Sequence, residues 1–500
     1  MMKIFFLLLL LLQTVLLCGG VNLCRNNFHI SLSGWKGTSY WGGKISHENV
    51  NGKRYMKVVS TSHDGRVYAR VYNRYVSRTQ FKEGLTIKLT LRAKGTGKMT
   101  LGLLAYGGYV NNPVDFVPAE PVTLTPEFKD HTVIITAPQS YASMRPYVEL
   151  HGQAELLAES FDMASVPDRS VVIHDGKMQI IGENEQPGAA VFSTNQPNRE
   201  FTAGIWKDFE HTVVKVKSDA AGKVSVPMPT GFVNSAAVHV YASGVTGSAF
   251  AVREASSACR HSDAIAAKIK LPHPVRMLVI GDSLSDFYRG YNYVDRLDSW
   301  LNKYNPGLFS VRNAGVGGDY LVRVQERLVG MMPGVDSTYR QEMYNDLFKE
   351  KYDIILIELG PNDTRSNRSE NYSKPLTSPE QQRRILTYII NFIRRNSDAR
   401  IVVLAPSPSA PEASLKVAAN IPAGQEFVLF GKPEFIDAFD AVNREVCKQM
   451  DVDYVDILTV MRRAPDRNSL YVKDRVHLSA KGGRVITDVI MEYLAEKYRR

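Results

Sequence analysis

The stretch "RMLVIGDSLSD", residues 276–286, ends a continuous apolar run on Gly281-Asp282-Ser283, where a strand would give way to a helix. Unbroken apolar runs fit strands buried on both faces of a parallel sheet. Three more follow, "YDIILIEL", "RIVVLAP" and "VDYVDI", separated by helix-period segments such as "YVDRLDSWLNKY", "PEQQRRILTYIINFIRR" and "PEFIDAFDAVNREVCKQM". Strands alternating with helices predict a doubly wound α/β domain over 275–500, with its functional residues at the carboxyl ends of the strands. Ser283 stands at such an end. It is either a helix cap, since Asp and Ser are favoured where a loop turns into a helix, or a nucleophile.

The second reading makes demands elsewhere, because a serine hydroxyl attacks only when a base takes its proton. "VKDRVHLSAKGG" puts Asp474 three residues before His477, close enough for the carboxylate to hold one imidazole nitrogen and stabilise its charged form. Acyl transfer also needs donors aimed at the developing oxyanion. Gly318 in "NAGVGGD" would let its backbone N–H approach a substrate closely, and Asn362 in "IELGPNDTR" offers a side-chain amide at the end of a predicted central strand. Each residue alone has a plainer alternative: a turn glycine, a loop asparagine, a core or surface histidine.

The ordered set "GDSLSD", "NAGVGGD", "LGPND" and "DRVH" resembles the four blocks of the SGNH hydrolases, also called the GDSL esterase family, over about 275–500. The resemblance implies a flavodoxin-like α/β fold. It also implies Ser283 as nucleophile, Gly318 and Asn362 as oxyanion donors beside the Ser283 N–H, Asp474 as orienter and His477 as base. Such chemistry requires no metal and no organic cofactor, and no His, Cys and carboxylate cluster has zinc-ligand spacing. The nucleophile elbow of α/β-hydrolases would want Gly where Ser285 stands.

Ahead of this domain the pattern changes. Five hundred residues exceed one hydrophobic core. Short alternating segments over 24–165, broken by Gly, Asn and Pro, predict a β-sandwich. A second β-rich block over 168–255 predicts a small immunoglobulin-like sandwich, and 256–274, which loses the strand rhythm and ends in prolines, predicts a linker. The first sandwich faintly resembles the jelly-roll carbohydrate-binding modules found beside polysaccharide-active enzymes. On that resemblance Trp35, Tyr40 and Trp41 form a flat face for stacking on sugar rings, with Tyr106 and Tyr109 in a glycine-rich loop; the alternative is that they are core aromatics.

Residues 1–20, with Lys3, a long apolar run and small residues at the end, have the layout of a secretory signal. The expectation is an exported protein, secreted, periplasmic or at the cell surface, without stable membrane insertion. Cys18 raises a lipoprotein reading that Leu17 opposes, since a small residue belongs there. Cys24 and Cys259 flank the β-rich region and could pair; Cys447 reads as a buried small hydrophobe. The net charge is +10, yet 271–500 carries 32 basic against 30 acidic residues, so the excess lies in front, without the dense basic stripe of a nucleic-acid binder. The sequence thus points to a serine esterase deacetylating a polysaccharide or other acylated glycan. A lipolytic or thioester-cleaving enzyme and a non-catalytic carbohydrate-binding protein are the alternatives.

Overall fold

The computed structural model describes residues 22–28, 32, 35–37, 44–61, 67–72, 76–77, 86–106, 114–116, 121–136, 143–165, 172–173, 178–181, 188–207, 210–229, 235–241, 249–287, 292–332, 334, 338–412, 416, 420–422 and 424–498. The back of the chain contains a five-stranded parallel sheet. Its strands are β1 (Val275–Gly281), β2 (Phe309–Asn313), β3 (Ile354–Glu358), β4 (Arg400–Leu404) and β5 (Asp453–Val455), in the order 2-1-3-4-5. All four pairings are parallel. Every residue of β3 is buried, as its unbroken apolar run requires. β1 lies between β2 and β3, so the strand order reverses around it and a crevice opens at its carboxyl end. The stretch that opens the domain thereby delivers Ser283 to the expected edge.

The helices that cover the sheet are α1 (Ser256–Ala266), α2 (Tyr293–Tyr304), α3 (Leu321–Gly330), α4 (Pro379–Asn396), α5 (Pro433–Gln449) and α6 (Ala480–Lys497). Two apolar clusters fill the two faces, one around Trp300, Leu297 and Ile490, the other around Ile389, Leu328 and Tyr344. The segment 256–274 is not a linker. Its first part is α1, which follows the strand Ala249–Ala255 directly. Cys259, Ser262, Ile265 and Ala266 are buried on one face of it, and Cys259, Ile265 and Ala266 join Ile269 and Leu271 in the α/β core. Cys259 is a free thiol and so is Cys447; burial pushes the Cys447 thiol up to about 12, as for a small hydrophobe. The side chain of Cys24 lies outside the described residues.

The front is built from strands, with one connected antiparallel network of 11 strands. Its long members Thr86–Tyr106 and Ser143–Ser165 pair with each other through two breaks in register, which lets each serve several shorter neighbours. Behind it come a three-stranded and a five-stranded sheet that share one core, with Phe192 and Val224 from the first and Phe201, Ile205 and Val238 from the second. Trp35 is a core residue. It is only 5% exposed and meets Phe28 and Phe161 edge-on, so it has no open ring face for a sugar. Tyr40, Trp41 and Tyr109 lie outside the described residues, as does the side chain of Tyr106.

The two parts meet at a buried ion cluster. Glu254, on the strand Ala249–Ala255, accepts from Arg484 of α6 at 2.7 Å and pairs with Arg296 of α2. Glu254 and Arg296 are wholly buried.

Candidate active site

The turn after β1 shows which residue caps the helix that follows it. Asp282, not Ser283, caps the short helix Ser283–Asp286, its Oδ1 accepting from Leu284 N–H at 2.9 Å. The Ser283 hydroxyl is therefore left for other work, and it lies 2.8 Å from His477 Nε2. On the far side of the ring, His477 Nδ1 lies 2.6 Å from Asp474 Oδ2. A proton on Nδ1, donated to the carboxylate, leaves Nε2 as the acceptor for the serine O–H.

The local sequence makes this loop rigid. Asp474 Oδ1 accepts from the backbone N–H groups of Val476 and His477, both at 3.0 Å, so the carboxylate is fixed before it touches the ring. Burial raises the Asp474 carboxyl, but hydrogen bonds and the charge of His477 more than offset it and hold the group below its ordinary value. It is thus the ionised partner an imidazolium needs. The Tyr471–Leu478 bridge and the Val472 N–H to His477 carbonyl bond close the loop, and Ser479 then caps α6. Phe287 stacks on the His477 ring at 4.5 Å between centroids, which limits how far the imidazole can turn.

The two oxyanion candidates come from the next two strand ends. Gly318 follows β2 in a turn where Asp319 N–H donates to Val316 O. Its φ of +78° is the left-handed region that favours glycine, which explains the residue type independently of any catalysis. Asn362 follows β3, is buried, and donates one amide proton to Asp282 Oδ2 at 3.1 Å. Among the described residues the N–H groups of Ser283 and Gly318 have no hydrogen-bond acceptor, so both are free to serve a substrate oxygen. The carboxyl group that caps the turn at Ser283 also orients the Asn362 amide.

Beneath these groups sit buried acids. Burial, with Glu358 and other carboxylates nearby, raises Asp282 well above its ordinary value; burial pushes Glu358 and Asp363 up to about 7. Ser285, at the position noted in the sequence, has a structural role: its Oγ donates to Glu358 at 3.1 Å and lies 2.7 Å from the Tyr293 hydroxyl. The positions of Phe287, Tyr293 and Glu358 were not legible as site features, since the two aromatics read as ordinary core residues and Glu358 as the polar end of an apolar strand.

Asn362→Ala should lower the turnover number by about 10²- to 10³-fold, the usual cost of one oxyanion donor. Steady-state rates on an aryl acetate, with a melting curve on the same sample, check this. A rate within threefold of wild type would count against the role.

Residues 279–485 match the GDSL-like Lipase/Acylhydrolase family. No curated protein matches the chain. Solved structures similar to it include a lipase/acylhydrolase from Enterococcus faecalis, at 16% identity and a TM-score of 0.34 over 45% of this chain and 97% of that one. An acetyl xylan esterase from Geobacillus stearothermophilus is 16% identical, with a TM-score of 0.33 over 46% of this chain and 99% of the other. The family match, laid over the four motifs and the parallel sheet, supports a GDSL/SGNH hydrolase domain over residues 279–485, which implies an esterase or hydrolase.

Proposed function

We propose that the chain is an exported serine esterase that removes acetyl groups from a polysaccharide through an acyl-enzyme on Ser283. The observation that carries the catalytic part is the continuous chain Asp474–His477–Ser283, at 2.6 and 2.8 Å. His477 Nε2 takes the serine proton as Oγ attacks the ester carbonyl. The oxyanion is held by the Ser283 and Gly318 N–H groups and the Asn362 amide. The imidazolium, stabilised by Asp474, gives the proton to the sugar oxygen as the ester C–O bond breaks, so that the sugar leaves as a free hydroxyl. Water activated by the same imidazole then releases acetate and frees the serine.

Several features support a short acyl group on a polar substrate. Ser283 opens onto a cleft walled by Leu284, Phe287, Tyr293, Leu478 and Gly483. Tyr293 is tied to Ser285 and Gly483 belongs to α6, so the cleft is closed behind by fixed groups. The polar insertion 364–380 follows Asn362 directly, as suits a loop over a hydrophilic ligand, and is held by the pairing of Ser366–Asn367 with Val428–Leu429. A longer insertion, 406–434, packs Ala410 into the core. Export is supported by the apolar run at the front of the sequence.

Acid release from a panel of acetylated glycans, run beside aryl esters of short and long chain, tests the proposal. Acetate from at least one glycan, with rates that fall as the aryl ester chain lengthens, is the expected result. Good long-chain cleavage with no acetate from any glycan would overturn it in favour of a lipolytic enzyme.

A further inference from the structure

The rim formed by Gly318 and Asn362 carries cationic groups that acyl transfer does not need. Tyr320 comes two residues after Gly318, Arg323 lies in the first turn of α3, and Arg365 comes three residues after Asn362. In space they alternate with a further ring. Arg323 lies 5.7 Å from the Tyr339 ring and 5.5 Å from the Tyr320 ring, and Arg365 lies 5.9 Å from Tyr320. The order is Tyr339, Arg323, Tyr320, Arg365. Arg323 Nη1 also donates to the Gly318 carbonyl at 3.3 Å, which ties the row to the oxyanion loop.

Fold stability does not account for this arrangement. The first turn of a helix favours carboxylates, and α3 has none there, placing the Arg323 cation against the positive end of the helix dipole. Two guanidinium groups share one tyrosine ring, and among the described residues neither forms an ion pair with a carboxylate. Asp319 pairs with Arg327, and Asp363 Oδ1 accepts from Leu321 N–H and Thr377 while its buried Oδ2 has no hydrogen-bond partner among the described residues. Arg365 Nε is buried and has no hydrogen-bond partner. Burial and the neighbouring Arg323 both lower the Arg365 pKa, so the charged form is held at a cost. An entering anion would relieve that cost, and a planar guanidinium matches an oxyacid group in bidentate fashion.

We propose that Arg323 and Arg365, stacked about Tyr320, form a subsite for an oxyanion group on the ester substrate, so that the glycan processed is acidic, bearing a uronate carboxylate or a sulfate. This rests on the esterase reading above. Tyr339, 57% exposed, ends the row with a ring available to a sugar face. The subsite adjoins the oxyanion donors and therefore selects substrates by a charge close to the scissile ester.

The test compares kcat/KM on four matched acetylated oligosaccharides: one with uronate, its neutral methyl ester, one with sulfate, and one uncharged. Wild type is expected to prefer the uronate or the sulfate compound over its neutral match by about tenfold or more, with the preference shrinking as salt rises. The arm that responds identifies the anion. The double variant Arg323→Gln, Arg365→Gln should bring the ratio of charged to neutral close to one. Equal rates on charged and neutral substrates in wild type, or a preference that survives the double variant, would overturn the subsite. If wild type cleaves no ester, the esterase reading fails separately, and calorimetric binding of deacetylated uronate and sulfated oligosaccharides decides the subsite. Salt-sensitive binding lost in the double variant upholds it, and no binding by wild type refutes it.

Discussion

Ser283→Ala lowers ester hydrolysis by about 10⁴-fold or more while the protein stays folded. The two halves of this expectation come from one turn. In the proposed mechanism Oγ carries the acyl group, and it lies at the end of the Asp474–His477 chain. The helix cap belongs to Asp282, so deleting the serine hydroxyl removes no bond that shapes the turn. A melting temperature within a few degrees of wild type is expected beside the lost rate. His477→Ala should fall to a comparable level. The double variant should be no slower than the slower single one, because nucleophile and base act as a unit. Aryl acetate kinetics and thermal melts on the three variants are the measurement. Full activity in Ser283→Ala would remove the enzyme reading, and multiplied losses in the double variant would mean that the two residues act independently.

Glu254→Ala should destabilise the protein by about 3–5 kcal/mol, the usual effect of removing one partner from a buried ion pair. The carboxylate lies on a strand of the front region, and its two cationic partners lie on α2 and α6 of the α/β region. Arg296 is fully buried, so without Glu254 its charge stays in the interior with too little compensation. Arg484 is partly exposed and can turn to water. Replacing Glu254 and Arg296 together by apolar residues of similar size should recover much of the loss, since the desolvation cost of both ions vanishes with them. Urea unfolding curves of the single and double variants measure this. A single-variant loss below about 1 kcal/mol would show that the cluster is not closed to solvent.

The α/β half was legible because its strands are apolar runs, two of which end on GDSLSD and LGPND, whereas NAGVGGD follows the mixed strand Phe309–Asn313 and DRVH lies in a loop beyond the sheet. The sheet then places the ends of β1, β2 and β3 side by side, so adjacency in the fold follows from the strand order. Asp474 and His477 are only three residues apart, and a short loop can satisfy that pair locally. The Arg323–Tyr320–Arg365 row was not legible, since it joins residues from different loops with no common period. α1 was misread for a different reason: its buried face is made of Cys259, Ser262, Ile265 and Ala266, too small and too mixed to announce a helix by hydrophobic spacing. Trp35 shows the remaining ambiguity. An aromatic residue near the start of a β-region looks the same in sequence whether it packs inward, as here, or faces out.

The unit that folds is longer than the stretch that reacts. Ile265, Ile269 and Leu271 precede the family match, and Ile490, Met491 and Leu494 follow it, yet all six share one apolar cluster with Leu297 and Trp300. Trimming the chain to the matched stretch would strip both flanks from that cluster and wet the back of α2, whose Tyr293 walls the cleft beside Ser283. A self-sufficient hydrolase excised from this protein has to begin no later than α1 and run to the end of α6.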